Sequence, residues 1–240
     1  MSAEAYMSPE RYARIRQLLR LRQPSLTLCL EQLNKPHNVS AIVRSCDAVG
    51  VHEVHAVWEH RPRMRKGTAM GSENWVTVKD HSNIEQAVGY LNAQNMQVLV
   101  TNLSTEAVDF REIDYTLPTA IILGQEKHGA TEQAIALADQ EIIVPMVGMV
   151  QSLNVSVAAA LILYEAQRQR QIAGMYDTQQ LSEQICQSVL FHGGFPKLRD
   201  LCDRKGLPYP HIDENGYIDA DQAWWEKIRM TNKAIKKLKA

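Results

Sequence analysis

Short apolar runs alternate with segments whose apolar residues recur every three or four positions, and that alternation predicts the fold. Runs at 26–30, 54–58, 75–78, 98–101, 120–123 and 141–144 are as short and apolar as buried strands. Helical patterns lie between them. Residues 39–49 form one, stopped by Gly50; 82–92 put Ile84, Val88 and Leu91 on one face; 131–138 form a third and 152–173 the longest. The stretch 102–118 reads as a long loop. Strand then helix, repeated, predicts an α/β domain with a mostly parallel sheet covered by helices on both faces. Beyond Gly174 the strand pattern stops, and 179–190, 196–205 and 221–239 read as helices, broken at Gly193–Gly194 and at Leu207–Pro208–Tyr209–Pro210. Three segments are expected: a short basic N-terminal helical segment (1–23), a core (24–173) and a helical C-terminal extension with a basic tail (174–240). Phe191, Phe195, Tyr209, Trp224 and Trp225 are expected to dock that extension on the core.

Composition narrows the class. With 240 residues, 45% hydrophobic and 22% charged, the chain suits one large core plus a smaller appendage. No apolar run approaches the roughly 18 residues of a membrane span, and no hydrophobic signal segment opens the chain, so a cytoplasmic location is expected. Cys29, Cys46, Cys186 and Cys202 form no CxxC pair, and His37, His52, His55 and His128 lack ligand spacing, so neither a metal nor a disulfide framework is expected. The sequons at Asn38 and Asn154 carry little weight without a secretory signal.

The net charge of −1 conceals an uneven distribution. Residues 1–35 hold six Lys/Arg against three acids and 224–240 hold six against one, leaving fourteen against twenty-three between them. Arg11, Arg14, Arg20 and Arg22 lie in the opening segment. Lys227, Arg229, Lys233, Lys236 and Lys237 recur along the closing one, and Arg61, Arg63, Arg65 and Lys66 cluster in a Pro-broken loop. Such runs either solvate a surface or grip a polyanion through its phosphates.

Polar residues gather at three loop–helix junctions, where α/β proteins collect ligand contacts. The first is the turn Lys35–Pro36–His37–Asn38 into a helix bearing Arg44; its bland reading is an Asn38 N-cap and a surface arginine. In the second, a strand runs into the glycine-bracketed loop Gly124–Gly129, which contains Glu126. At the third, Pro145 and Gly148 break a strand, and Gln151, Ser152 and Asn154 open the longest helix, with Ser152 or Asn154 as its cap. Tyr115 either stacks on a base or packs under the long loop. Arg168 and Arg170 face a partner, an RNA or solvent. No GxGxxG turn follows the first strand, which argues against a dinucleotide-dependent enzyme.

Together, K-P-H-N-V-S-A-I-V-R (35–44), L-G-Q-E-K-H-G (123–129) and G-M-V-Q-S-L-N-V-S-V-A (148–158) resemble the three motifs of the SpoU group of SPOUT RNA ribose 2′-O-methyltransferases. The resemblance continues through A-V-G-V-H-E-V-H-A-V-W to K-G-L-P-Y-P-H near the C-terminus. It implies a sheet core with a C-terminal trefoil knot, S-adenosyl-L-methionine as cofactor, a homodimer, and tRNA as substrate. The implied reaction is methylation of the ribose 2′-OH of guanosine at position 18 in the D-loop. Another tRNA or rRNA nucleoside, or a non-catalytic RNA-binding member of the fold, is the alternative.

Matched motif by motif, the resemblance assigns catalysis to Asn38, Arg44, Glu126, Ser152 and Asn154. It assigns the cofactor to Thr101, Asn102, Leu103, Leu123, Gly124, Ile143, Val144, Met146, Gly148, Ser152 and Leu153, chiefly through backbone groups at strand ends. RNA contacts are expected from Arg11, Arg14, Arg20, Arg22, Arg61, Arg63, Arg65, Arg168, Lys233, Lys236 and Lys237. Ser40 stands where many members carry glycine. A guanidinium rarely gives up its proton, so Arg44 is expected to hydrogen-bond the 2′-oxygen and favour its anion, with Asn38 and Asn154 orienting the ribose and the arginine. Glu126 is expected to fix its loop through backbone amides, with a share in catalysis left open.

Overall fold

The structure, a computed structural model, describes residues 6–60 and 70–229; Arg61, Arg63, Arg65, Lys66, Lys233, Lys236 and Lys237 lie outside the described residues. In chain order the elements are α1 (Pro9–Arg20), β1 (Leu26–Glu31), α2 (Pro36–Ala48), β2 (Glu53–Val57), β3 (Thr77–His81), α3 (Ile84–Ala93), β4 (Gln97–Thr101), β5 (Val108–Asp109) and β6 (Thr119–Leu123). Then follow α4 (Glu132–Leu137), β7 (Gln140–Ile143), α5 (Val155–Ile172), α6 (Glu183–Gly194), α7 (Pro196–Lys205), β8 (His211–Ile212), β9 (Ile218–Asp219) and α8 (Gln222–Arg229). Two compact units result: residues 22–178, and the described residues up to 21 together with those from 179 onward.

The larger unit is built on a seven-stranded sheet of order β3-β2-β1-β6-β4-β7-β5, and every pairing in it is parallel. The period of two along each strand sorts side chains into two layers. Leu26, Leu28 and Leu30 of β1, with Leu99, Ile121 and Leu123, pack under Val39, Ile42 and Val43 of α2 and Ile162 and Leu163 of α5. Cys29, Val98, Val100, Ala120 and Ile122 point the other way, against Ile84, Val88 and Leu91 of α3 and Ala134 of α4. Both faces are thus covered, as the sequence pattern predicts. Two details differ. β3 begins at Thr77 because Trp75 and Val76 belong to the turn after a short 3-10 helix, Ser72–Asn74. β5 forms inside the stretch expected to be loop; two residues give no apolar run to read.

Two arginines are interior scaffolding. Arg170 is fully buried and donates five hydrogen bonds, to the carbonyl oxygens of Tyr115 (2.8 Å), Ser25 (2.8 Å) and Leu117 (3.0 Å), to Ser25 Oγ (2.9 Å) and to Gln23 Oε1 (3.2 Å). It ties the end of α5 to the segments leading into β1 and β6. Burial lowers its pKa to about 10. Arg22, expected to contact RNA, is likewise fully buried, bonded to Val51 O (2.8 Å) and paired with Asp47 (2.5 Å), so no phosphate reaches it. Tyr115 is fully buried too, which settles its choice in favour of packing.

In the smaller unit α1 packs on α6. Ser8 caps α1 through Arg11 N, and Arg16 pairs with Glu183 at 2.6 Å. Aromatics of this unit contact one another: Phe191 meets Tyr209 (4.8 Å between centroids), Phe195 (5.7 Å) and Trp224 (6.4 Å). Among the described residues no helix is long and apolar enough to cross a membrane.

Candidate active site

Strands β4, β6 and β7 end side by side, and a cleft of about 330 Å³ opens at their C-terminal ends. Thr101, Asn102 and Leu103 follow β4, Leu123 to Gly129 follow β6, and Ile142 to Val144 close β7; Gln151, Ser152, Leu153, Val155 and Ala158 complete the lining from the start of α5. This is where an open parallel sheet places a ligand, and the volume falls within the range of about 300–1,000 Å³ typical of small-molecule sites. Nine of the eleven residues expected to hold the cofactor line it; Met146 and Gly148 do not.

The loops around the cleft are pinned by specific bonds. A Cβ at Gly124 would overlap the backbone of Gly129 and Ala130, so only glycine fits where the loop doubles back. Gln125 and Gly129 exchange two backbone hydrogen bonds of 2.9 Å, and Gly129 sits at φ +72°, the left-handed region that favours glycine. Across the cleft, Glu141 accepts from Asn102 Nδ2 (2.8 Å) and Ser104 Oγ (2.6 Å), which fixes the loop after β4. The bonds from Ser104 and then Asn102 hold its carboxyl below the usual range.

The polar residues of the three motifs converge beside the cleft. Asn154 is the N-cap of α5: its Oδ1 accepts from Ser156 N (2.9 Å) and Ser156 Oγ (2.7 Å). Its Nδ2 donates to Asn38 Oδ1 (3.2 Å), and Asn38 Nδ2 donates to Glu126 Oε1 (2.6 Å). Donors therefore run in one direction from Ser156 to the Glu126 carboxylate, an arrangement in which each bond polarises the next. Asn38 is 1% exposed and lies inside α2, whose N-cap is Lys35, so it is not the cap of the bland reading. Glu126 differs from expectation: its partner is the Asn38 carboxamide rather than a backbone amide. Ser40 is buried, with its hydroxyl on Pro36 O at 2.7 Å, so the extra oxygen is accommodated within the helix.

Ser152 lines the cleft, whereas Arg44 does not. Six positions along a helix of about 3.6 residues per turn put Arg44 about 120° round from Asn38. It is exposed on the outward face of α2 with His37 and Ala48, and among the described residues it has no hydrogen-bond or ion-pair partner. Of the arginines expected to meet RNA, Arg11, Arg14 and Arg20 are exposed on α1, and Arg168 is exposed but bonded to Glu165 at 2.7 and 2.9 Å. Among the described residues no group of three or more His, Cys, Asp or Glu could hold a metal ion.

Sequence reasoning missed Gln125, Lys127, His128 and Gly129 as lining residues, although all sit in the second motif. It also missed Glu31, the 2%-exposed last residue of β1, whose carboxylate accepts from Thr131 N (2.9 Å) and Thr131 Oγ1 (2.6 Å) a hundred positions away. The one available signal was an acid closing an otherwise apolar strand.

Comparison with known proteins agrees with this geometry. The model of the SpoU rRNA methylase family matches residues 25–164, and that of the SpoU rRNA methylase C-terminal region matches 168–221. The chain is 62% identical over 226 residues to the tRNA (guanosine(18)-2′-O)-methyltransferase of Escherichia coli K12, spanning 93% of this chain and 99% of that protein. Among solved structures, the TrmH/SpoU tRNA-modifying enzyme of A. aeolicus superposes with a TM-score of 0.74 at 40% identity, covering 78% of this chain and 96% of that one. The SpoU methyltransferase AviRb from Streptomyces viridochromogenes, crystallised with AdoMet, superposes with a TM-score of 0.58 at 27% identity over 64% and 63% of the two chains. Family-model match, sequence identity and site geometry lead to one assignment: the chain belongs to the SpoU methylase family.

Proposed function

We propose that this protein transfers a methyl group from S-adenosyl-L-methionine to the ribose 2′-hydroxyl of guanosine 18 in tRNA, acting as a cytoplasmic homodimer. The observation that carries this reading is the convergence of Asn38, Glu126 and Asn154, from three distant stretches, at the rim of one ligand-sized cleft. The 62% identity to a guanosine-18 methyltransferase supports the choice of nucleoside. The cleft suits the cofactor: Leu123, Ile142 and Val144 share its lining with polar side chains and backbone groups, and Gly124 lets the loop double back on itself at its edge. On this reading 24–173 is the catalytic core, its C-terminal part tucked into a trefoil knot.

When bound, the cofactor supplies an electrophilic methyl on a sulfonium. The residues of the chain have three tasks. Ser152, Leu153 and the strand-end loops at Thr101–Leu103, Leu123–Gly124 and Ile143–Val144 hold the ligand. Asn38 and Asn154, locked in register by Glu126, orient the ribose. Arg44 hydrogen-bonds the 2′-oxygen and favours its anion, while the proton leaves to an RNA phosphate or to water.

Arg44 points away from its own Asn38 face, so its assigned target is the cleft of a second copy. An apolar surface supports that dimer. Val147 and Met149 are fully exposed, Val150 in the same loop is exposed too, and Val157, Leu161 and Tyr164 are exposed along α5, which packs on α2. Exposed apolar surface of this kind marks an association face. Arg11, Arg14, Arg20 and Arg168, with the basic loop and tail outside the described residues, are assigned to tRNA phosphates.

Incubation of the protein and labelled S-adenosyl-L-methionine with an unmodified tRNA transcript tests the proposal. Label is expected on the guanosine-18 ribose and should vanish when that nucleotide is 2′-deoxyguanosine. Undiminished labelling of the deoxy-substituted transcript would place the reaction on another nucleoside.

A further inference from the structure

We infer that Glu31, which none of the three motifs contains, is a positioning residue that sets the shape of the cofactor cleft; the inference rests on the methyltransferase reading above. Its carboxylate is buried and, among the described residues, meets no cation. Both oxygens instead go to one residue, Oε2 to Thr131 N (2.9 Å) and Oε1 to the Thr131 hydroxyl (2.6 Å). Thr131 Oγ1 is already the N-cap acceptor for Ala134 N (3.1 Å), so its proton is directed to Glu31. The adjacent Gln32, held at φ +54°, accepts from Gln125 Nε2 at 2.5 Å. The end of β1 therefore grips the 125–131 loop at both ends, while Gln125 and Gly129 bond across its middle. Glu126 to Gly129 lie between those grips and line the cleft. Nothing in the interior demands a charge at position 31, and burying one is costly unless it is fully bonded. The carboxylate gives one oxygen to the Thr131 N–H and the other to its O–H, so both are held at once.

Glu31→Gln is the conservative variant: its oxygen can accept from Thr131 N while its NH2 donates to the second lone pair of Thr131 Oγ1. Glu31→Met keeps the length of the side chain and removes both acceptors, so both bonds are lost and the loop loosens. The reaction chemistry is untouched, so the loss should appear in cofactor binding rather than in turnover at saturation.

The test is the affinity for S-adenosylhomocysteine, measured by calorimetry on the full chain, with hydrogen exchange of the Gln125 and Gly129 amides in the free protein. E31M should bind at least tenfold more weakly and exchange both amides faster, while kcat at saturating cofactor and KM for tRNA stay within about threefold. E31Q and Thr131→Ser, which can keep both contacts, should bind within about threefold of wild type. Thr131→Val, which loses the hydroxyl bond and the cap of α4, should also bind more weakly, and the E31M/T131V pair should fall short of the two single losses combined, because the variants share a contact. E31M binding within twofold of wild type, or an equal rise in both KM values, would overturn the inference and leave the methyltransferase reading standing. Wild-type protein that binds no S-adenosylhomocysteine would overturn that reading itself.

Discussion

Replacing Gly124 with alanine probes the tightest point of the cleft. The added methyl would overlap the backbone of Gly129 and Ala130, so the two limbs of the loop must part by about 1.3 Å or more to restore normal carbon contact distances. Parting them breaks the paired Gln125–Gly129 bonds, worth about 1 kcal/mol each, and adds an overpacking cost of about 1–3 kcal/mol. About 2–3 kcal/mol of this should fall on ligand binding, a loss of about 30- to 140-fold in S-adenosylhomocysteine affinity. Gly89, on the exposed face of α3 with nothing near its would-be Cβ, is the matched control: Gly89→Ala should leave affinity alone and stabilise the helix by up to about 1 kcal/mol. Calorimetry and thermal melts on the two variants give both numbers. G124A binding within twofold of wild type would refute the argument that backbone approach at this glycine shapes the site.

Other predictions follow from the same structure. Arg44→Lys keeps the charge but loses the planar fork; kcat should drop about a hundredfold, near 3 kcal/mol, with tRNA affinity unchanged in filter binding. Arg170→Met removes the donor to the buried Tyr115 carbonyl and one of two donors to those of Ser25 and Leu117, which keep Thr119 N and Thr119 Oγ1; a destabilisation of about 2–3 kcal/mol should lower Tm by about 5–10 °C in a thermal scan. His55 is held down to about 4 by burial and by the charges of His81 and Lys79. The unfolded chain takes up that proton first, near its ordinary value of about 6.5, so stability should fall by about 3 kcal/mol as pH drops from 6.5 to 4. Melts across that range should show a shallower slope for His55→Phe; an unchanged slope would remove His55 as the cause.

The strands were legible because each is an apolar run packed on both faces, and the helices because their apolar positions repeat along one face. Where an element is two residues long, as β5 is, no pattern exists to read. Arginines were the least legible residues. Arg22 and Arg170 look like surface charges in a linear sequence, yet their partners, 25 to 147 positions away, draw them inside. Glu31 escaped notice for the same reason. Most of the cleft was anticipated through resemblance of motifs, since periodicity alone gives no sign that Asn38, Glu126 and Asn154 meet. The helical spacing of Asn38 and Arg44 did contain a warning: residues six apart do not share a face, and Arg44 is indeed turned outward.

Mixing two inactive variants tests most directly whether each site is assembled from two chains. Arg44→Ala and Asn154→Ala subunits, co-expressed with different tags so that mixed dimers form, each retain what the other lacks. With random pairing about half the dimers are mixed and each has one complete site, so methylation of guanosine 18 should recover to about a quarter of the wild-type rate. A mixture that dimerises yet stays as inactive as either variant alone would contradict the assignment of Arg44 to the partner's cleft.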